Sequence, residues 1–344
     1  MVRGVLEVVS YNVLCGRLGE THLQAPKALR DPVRRMGLIL RDLEPFVQRR
    51  AVICLQEVGN AWAGPFSSFF QKNDYHMIYS GYGTFKNDFM GVALCLPNDR
   101  FILEDSQFIR PTDSKVWPKP KKNQSYWIVD RISNFFAWIW KQIQSLTGIK
   151  EKTDPWEVAK WRVNTLLVAS LKCKESGKKS VVSTYHMPCS FWSPPSMVIH
   201  SALALQVVQA YAKDIPYIFC GDFNVKPGDA SYILYTEGKL DSTHPDYPPP
   251  RDFDSWKPEV HEAVRSAYKE CLGKEPEFTN HGNIFEEPLF TGTLDYVFYS
   301  PSKLLKVLDV LPLPSLSQID QTKPLLSLKY PSDHLVIGAK FEML

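Results

Sequence analysis

"PYIFCGDFN", residues 216–224, is the stretch on which the reading of the fold turns. Tyr217, Ile218, Phe219 and Cys220 form an unbroken apolar run, the pattern of a short strand covered on both faces. The run stops at Gly221, Asp222, Phe223 and Asn224. A strand held in a core fixes the side chain at its end, and the loop beyond gives that side chain access to solvent. By itself, Asp-Phe-Asn after a glycine is equally an Asx turn. Which reading holds depends on whether other strands end in the same kind of residue.

Several do. "LEVVSYNV" (6–13) carries Asn12 near its end, "AVICLQEV" (51–58) carries Glu57, and "SVVSTYH" (180–186) ends on His186. "GTLDYVFYS" (292–300) holds Asp295 among residues that favour burial, where a lone carboxylate is costly unless a cation or a histidine stands beside it. "YPSDHLVIGAKF" (330–341) sets Asp333 and His334 ahead of the last strand-like run. Singly, each has an ordinary explanation as a turn residue, a cap or a satisfied core histidine. Together they are the residue types that metal and phosphate chemistry uses.

The remaining chain supplies the scaffold. Asp31-Pro32 predicts an N-cap and first turn for a helix with Val33, Met36, Leu40 and Leu43 on its apolar face. "GVALCLP" (91–97), "RFILEDSQFI" (100–109) and "VNTLLVASL" (163–171) read as strands, and residues 196–213 and 258–271 as helices. Strands outnumber helices and run the whole length, which predicts two packed sheets flanked by helices in one α+β domain over 1–344. Composition agrees, with 44% apolar residues and a net charge of only +3, which neither demands nor forbids a polyanionic partner. Seven cysteines without a CxxC pair read as free thiols of a reducing compartment. The first residues alternate like a strand rather than a signal peptide, and no run reaches the roughly 18–20 apolar residues of a membrane span. A monomeric, cytoplasmic protein is expected.

Two stretches break the rhythm. "YPPPRDFDSWKP" (247–258) must be loop. Residues 111–157 form an insertion that begins with the basic loop "KVWPKPKKNQ" and continues through a stripe of Ile128, Ile132, Phe135, Ile139 and Ile143, widened by Phe136, Trp138 and Trp140. That stripe reads as a core helix, as an aromatic lid, or, over 126–146, as a helix lying on a membrane surface.

Taken in order, "YN", "QEV", "GDFN", "LDYVF" and "SDH" resemble the endonuclease/exonuclease/phosphatase superfamily over nearly the entire chain. The resemblance implies a four-layered α/β sandwich, two mostly antiparallel sheets between helices. "MGVALCLPNDRF", "CGDFNVKPGDASYILYTEGKLDSTHPDY", "SAYKECLG" with "EFTNH", and "YPSDHLVIGAKFEM" resemble its deadenylase branch, of the nocturnin, angel and carbon-catabolite-repressor type. The 111–157 insertion has no counterpart there, and "HMPCSFWSPP" departs from the branch's His-Leu continuation.

What this implies is a magnesium-dependent phosphodiesterase, with manganese as the alternative ion, acting on RNA or a nucleotide as a 3′-exoribonuclease. Glu57 is expected as the principal metal ligand, with Asn12 beside it and Asp333 nearby. Asp222 would orient or deprotonate the attacking water, and Asn224 would hydrogen-bond the phosphate. His334 would stabilise the transition state as imidazolium, with Asp295 holding its ring, and His186 would be a second phosphate-facing imidazole. Lys86 and Lys226 are candidate phosphate contacts and Trp192 a candidate base-stacking residue. Two other readings stand beside this one: a lipid or inositol-phosphate phosphohydrolase that uses 126–146 at a membrane, and a non-catalytic binding module.

Overall fold

The computed structural model describes residues 4–20, 26–119, 153–283 and 289–344. One six-stranded sheet runs, in spatial order, β13 (Leu305–Val310), β14 (Ile337–Met343), β1 (Val5–Asn12), β2 (Val52–Val58), β4 (Gly91–Pro97) and β3 (Tyr75–Gly81). The other runs β5 (Phe101–Ile109), β6 (Leu166–Cys173), β7 (Lys179–His186), β8 (Tyr217–Asp222), β12 (Asp295–Tyr299) and β9 (Arg265–Ser266). A short hairpin, β10 (Asn280–Gly282) with β11 (Phe290–Gly292), stands apart. In both sheets neighbours are antiparallel except for one central parallel pair, β1 with β2 and β7 with β8.

The alternation of side chains along a strand builds the layers. Leu6 and Val8, Val52 and Cys54, Val182, Ile218 and Cys220, and Val297 meet in a core between the two sheets. The intervening residues Val9, Tyr11, Ile53 and Leu55 pack outward under α2 (Pro32–Gln48) and α3 (Asn60–Lys72), which follow the short α1 (Gly16–Glu20). On the other side Val181, Tyr185, Tyr217 and Phe219 pack under α5 (Pro194–Ala212) and α6 (Ala230–Glu237). The result is helix, sheet, sheet, helix, the four-layered sandwich that the resemblance implied.

Two helix expectations need correction. Asp31 does cap α2, accepting from Val33 N at 2.9 Å and Arg34 N at 3.3 Å. Of the expected face, Leu43 is buried and Met36 and Leu40 are half-buried against the core, but Val33 is 68% exposed, and the buried positions also include Arg35, Ile39, Phe46 and Val47. Because an arginine occupies that face, a stripe drawn from apolar residues alone is rotated off its true axis. The helix expected over 258–271 shrinks to α7 (Ala267–Leu272). Upstream of it, Gln206 and Gln209 of α5 take Glu259 O and Glu262 O at 2.6 and 2.8 Å, and His261 N donates back to Gln209 Oε1 at 2.9 Å. Those backbone groups are therefore engaged by α5 rather than by one another.

The insertion's central residues 120–152, and with them the aromatic stripe and the 126–146 membrane expectation, lie outside the described residues. Its flanks are well anchored. Lys115, expected in a basic loop, is buried, with Nζ 2.7 Å from Asp254 Oδ2 and side chains 2% and 5% exposed. Trp117, Trp156 and Trp256 surround the ammonium at 5.2–5.6 Å from their ring centroids, within cation–π range. Trp156 belongs to α4 (Pro155–Lys160), and Asp254 and Trp256 to the proline-rich loop. One caged lysine thus ties both ends of the insertion to that loop. Breaking a buried pair strands the remaining charge and costs about 3–5 kcal/mol. Lys115→Met should therefore lower stability by about that amount in urea unfolding, and adding Asp254→Leu should recover more than half. A single variant as stable as the parent would refute the anchoring.

Candidate active site

Strand direction gathers the polar strand ends at one edge of the sandwich. Parallel strands end on the same side, so β1 and β2 deliver Asn12 and Glu57 together, while β7 and β8 set His186 opposite Asp222. β12 runs antiparallel to β8, and its first residue, Asp295, pairs with Asp222. β14 runs antiparallel to β1, so the segment before it returns to the end of β1, where Ser332 Oγ donates to Asn12 O at 2.7 Å. His334 arrives with it.

Alternation aims most of these side chains into the space between the sheets. Asn12 continues the face of Leu6 and Val8, His186 that of Val182, Asp222 that of Ile218 and Cys220, and Asp295 that of Val297. Glu57 breaks the rule, since its parity would put it with Ile53 and Leu55 under the helices. The β2–β4 register shifts between Leu55 and Val58, and Glu57 itself adopts φ 59°, so the backbone turns the carboxylate into the cluster. A left-handed non-glycine residue costs about 1–3 kcal/mol, a strain the surrounding sheet must hold in place. Close approach also matters beside Asp222: a Cβ on Gly221 would lie 1.9 Å from Tyr185 O, so only glycine fits there.

The six side chains then interlock. Asn12 Nδ2 donates to Glu57 Oε1 at 3.0 Å and to Asp222 Oδ2 at 2.9 Å, and its Oδ1 accepts Leu14 N at 3.0 Å. The oxygen that could ligate a metal is thus turned away from the carboxylates. His186 Nε2 lies 3.9 Å from Glu57 Oε1 and 3.6 Å from Asp222 Oδ2, while Tyr82 OH bonds its Nδ1 at 2.7 Å. His334 Nε2 lies 3.7 Å from Asp222 Oδ2, and its Nδ1 sits 2.8 Å from Asp295 Oδ2. Thr279 Oγ1 donates to that same Asp295 oxygen at 2.6 Å, and Asp295 Oδ1 is buried with no hydrogen-bond partner among the described residues.

Burial opposes a charge on His334, but the Asp295 and Asp222 carboxylates outweigh it and hold the imidazole's pKa well above the usual histidine value. Burial lifts Asp222 to about 6, with Asp295 adding to the rise while His334 and His186 oppose it. Two overlapping groups, Glu57, His186 and Asp222, and Asp222, Asp295 and His334, each bring their ligand atoms within 4.8 Å of one another. Carboxylate oxygens with one imidazole are a donor set that fits a hard divalent cation.

Other predicted residues fall around this cluster rather than in it. Asn224 takes φ 52°, so it is not on an extended segment with Asp222; instead its N–H bonds Asp222 Oδ1 at 3.0 Å in an Asx turn. Its Nδ2 donates to Met187 O at 2.8 Å. The turn and the site residue are the same feature, since the turn occupies Oδ1 and leaves Oδ2 to the cluster. Asp333 is half-buried and belongs to neither group. Trp192 and Lys226 are exposed on the loops that leave β7 and β8, and Lys86 is exposed in the short turn between β3 and β4.

Sequence reading missed the supports. Cys15 N donates to Glu57 Oε2 at 3.0 Å, and Gln56 Nε2 joins Ser10 Oγ to Thr184 Oγ1 across the two sheets at 3.0 and 2.9 Å. Fully buried Arg35 donates to Val13 O (2.8 Å), Leu14 O, Cys15 O (2.9 Å) and Pro331 O (3.2 Å), and stacks on Trp62 at 4.6 Å. It therefore fastens the loop after β1 to the Pro331–His334 segment. An arginine on an otherwise apolar helix face was the signal available.

Residues 9–334 match the model of the Endonuclease/Exonuclease/phosphatase family. The chain is 27% identical over 380 residues to the CCR4-Not complex 3'-5'-exoribonuclease subunit Ccr4 of Aspergillus clavatus, covering 98% of this chain and 53% of that protein. It is 30% identical over 184 residues to human 2',5'-phosphodiesterase 12, covering 51% of this chain and 28% of that one. It thus spans about half, or less, of the length of these curated relatives. Among solved structures, ANGEL2, a 2',3'-cyclic phosphatase, in complex with adenosine-2',3'-vanadate, superposes with TM-score 0.71 at 22% identity, covering 98% of this chain and 96% of that one. The human nocturnin catalytic domain with bound sulfate gives TM-score 0.62 at 20% identity, covering 100% and 95%. These two likenesses carry the fold.

Removing Arg35 would leave several buried carbonyls without donors, each worth about 1–3 kcal/mol. Arg35→Met should thus destabilise the protein by about 3–5 kcal/mol in urea unfolding. Arg35→Lys should recover less than half, because a single ammonium cannot span four acceptors. Full recovery by lysine would show that charge, not the fork, is what matters.

Proposed function

The chain belongs to the endonuclease/exonuclease/phosphatase family, and on that premise we propose that it is a Mg²⁺-dependent phosphodiesterase acting on RNA as a 3′-exoribonuclease. The observation that carries this reading is the cluster of Asn12, Glu57, His186, Asp222 and His334, in which two carboxylates and two imidazoles from both sheets converge within hydrogen-bonding and ion-pairing distance. The similarity to Ccr4, a 3'-5'-exoribonuclease subunit, supports RNA as the substrate class, and that to 2',5'-phosphodiesterase 12 supports phosphodiester cleavage.

Glu57, with the His186 imidazole beside it, would hold the ion. Bound there, a divalent cation neutralises charge on the phosphoryl oxygens and makes water a better nucleophile. Asp222, lifted to about 6, is a base near neutral pH and would take the proton of the attacking water from its Oδ2 side. His334 is a charged donor whose Nδ1 is fixed by Asp295, leaving Nε2 for a phosphoryl oxygen as negative charge builds. His186 has its Nδ1 occupied by Tyr82 and likewise directs Nε2 to the cleft. Asn224 has one N–H committed to Met187 O and the other for the substrate phosphate. Asn12, with both N–H groups on carboxylates, acts as a clamp on the pair rather than as a ligand.

The test is a substrate panel with Mg²⁺ or EDTA: oligo(A), mixed RNA, DNA, 2',5'-linked adenylate, nicotinamide dinucleotide phosphate, sphingomyelin and inositol phosphates. Mg²⁺-dependent shortening of RNA from its 3′ end is expected; turnover of lipid alone would transfer the site to the phosphohydrolase reading. Asp222→Asn should lower kcat by about 10²–10⁴-fold, with the circular dichroism spectrum unchanged. His334→Ala should cost about 10²–10³-fold. Glu57→Ala should displace the Mg²⁺ titration to higher concentration. Parent-like rates in either of the first two variants would remove the mechanism.

A further inference from the structure

"HMPCSFWSPP" (186–195) departs from its branch where it leaves the cluster, and the structure gives that departure a shape. The loop hangs on the site. Met187 N donates to Asp222 O at 2.8 Å, Met187 O accepts Asn224 Nδ2 at 2.8 Å, and His186 O accepts Asn164 Nδ2 at 2.8 Å. A displacement of the loop would therefore disturb the groups that hold His186 and Asp222. Further along, Phe191 is 45% and Trp192 63% exposed, an unusual pair to leave in solvent.

Arg162 stands against this ridge. It lies two residues before Asn164, and its guanidinium carbon is 5.8 Å from the Trp192 ring centroid. Its Nε is buried without a hydrogen-bond partner among the described residues. Trp161, the residue before Arg162, is 74% exposed. A guanidinium and an exposed indole therefore stand together at the loop that leaves the cluster at His186.

That pairing matches a particular chemistry. A single-stranded polynucleotide repeats a flat base and an anionic phosphate, so an indole with one side open suits the base and a neighbouring guanidinium suits the phosphate. We propose that Arg162 and Trp192 form a second substrate position, which stacks a nucleotide at a distance from the scissile phosphate and makes the protein favour extended single strands over dinucleotides. The inference rests on the RNA reading of the site. It adds a length preference that the cluster alone has no means to express.

The experiment compares kcat/KM on a decamer and a dinucleotide of adenylate, with Mg²⁺, for the parent protein, Trp192→Ala, Trp192→Phe and Arg162→Ala. The decamer-to-dinucleotide ratio should fall roughly 5- to 100-fold in Trp192→Ala, the effect of one lost stacking contact, and return in Trp192→Phe. Binding of a fluorescein-labelled decamer to Asp222→Asn protein, followed by anisotropy against salt, should lose about 0.7 from its logarithmic slope when Arg162→Ala is added. A ratio within twofold of the parent in Trp192→Ala overturns the platform while leaving the RNA reading in place. If the parent protein neither cleaves nor binds either oligonucleotide, the RNA reading fails and the platform with it. Sedimentation with phosphatidylserine/phosphatidylcholine vesicles that is lost in Trp192→Ala, beside an unaltered ratio, would assign the ridge to lipid and likewise overturn it. Far-UV circular dichroism of each variant guards against loss of fold.

Discussion

A single primary amide holds the two halves of the cluster together. Asn12, at the end of β1, gives one N–H to Glu57 of its own sheet and the other to Asp222 of the facing sheet, at 3.0 and 2.9 Å. Two buried carboxylates at that separation repel one another, and burial penalises each charge. An amide with two donors is among the few neutral groups that can satisfy both without adding a charge. This bond pattern exists only if the ends of β1, β2 and β8 coincide, so the site depends on how the sheets stack. Gln56, one residue before Glu57, repeats the cross-sheet logic deeper in the core through Ser10 and Thr184. The two side chains form a polar seam at one edge of an otherwise apolar interface.

The seam is expensive, and the structure around it shows where the cost is met. Glu57 adopts a left-handed backbone, Gly221 admits no side chain, and Arg35 is buried to place its donors on four carbonyl groups. None of these is favourable in isolation. They persist because the apolar layers on either side of each sheet fix the backbone first. Arg35 is the most informative case. It joins the loop that follows β1 to the segment that precedes β14, which are far apart in sequence and must meet for Asn12 and His334 to share a cleft.

Much of this was legible in the sequence, for a physical reason. Residues that are costly in a core stand out against apolar strands, so Asn12, Glu57, His186, Asp222, Asp295 and His334 could be picked out as a set. Alternation then aims Asn12, His186, Asp222 and Asp295 correctly, and the segment before β14 brings His334 to them. Glu57 is the exception, because a register shift is a property of two strands and leaves little trace in one. Arg35, Tyr82 and Thr279 were overlooked for the opposite reason: each looks ordinary in its own segment, and its role appears only across contacts of long sequence separation. The helix expected at 258–271 failed similarly, since glutamines from α5 capture the backbone there. Lys115 passed for a solvated charge until three tryptophans from separate segments closed over it.

The electrostatics of the cluster also explain why its members hold different protonation states at neutral pH. His334 sits between two carboxylates, one on each ring nitrogen's side, and that arrangement stabilises the imidazolium despite complete burial. Asp222 faces a different balance: burial, with Asp295 adding to it, raises the carboxyl to about 6 against the pull of His334 and His186, close to where a proton can be accepted and released. The division of labour follows from position alone. Asp295 bonds one histidine nitrogen directly and accepts from Thr279, so it is tied as a charge partner, whereas Asp222 keeps Oδ2 directed at both histidines and at the Asn12 amide. A carboxylate committed to a ring orients it. A carboxylate oxygen that faces one amide at 2.9 Å and two imidazoles at 3.6 and 3.7 Å, and is committed to neither ring, is the one placed to exchange a proton.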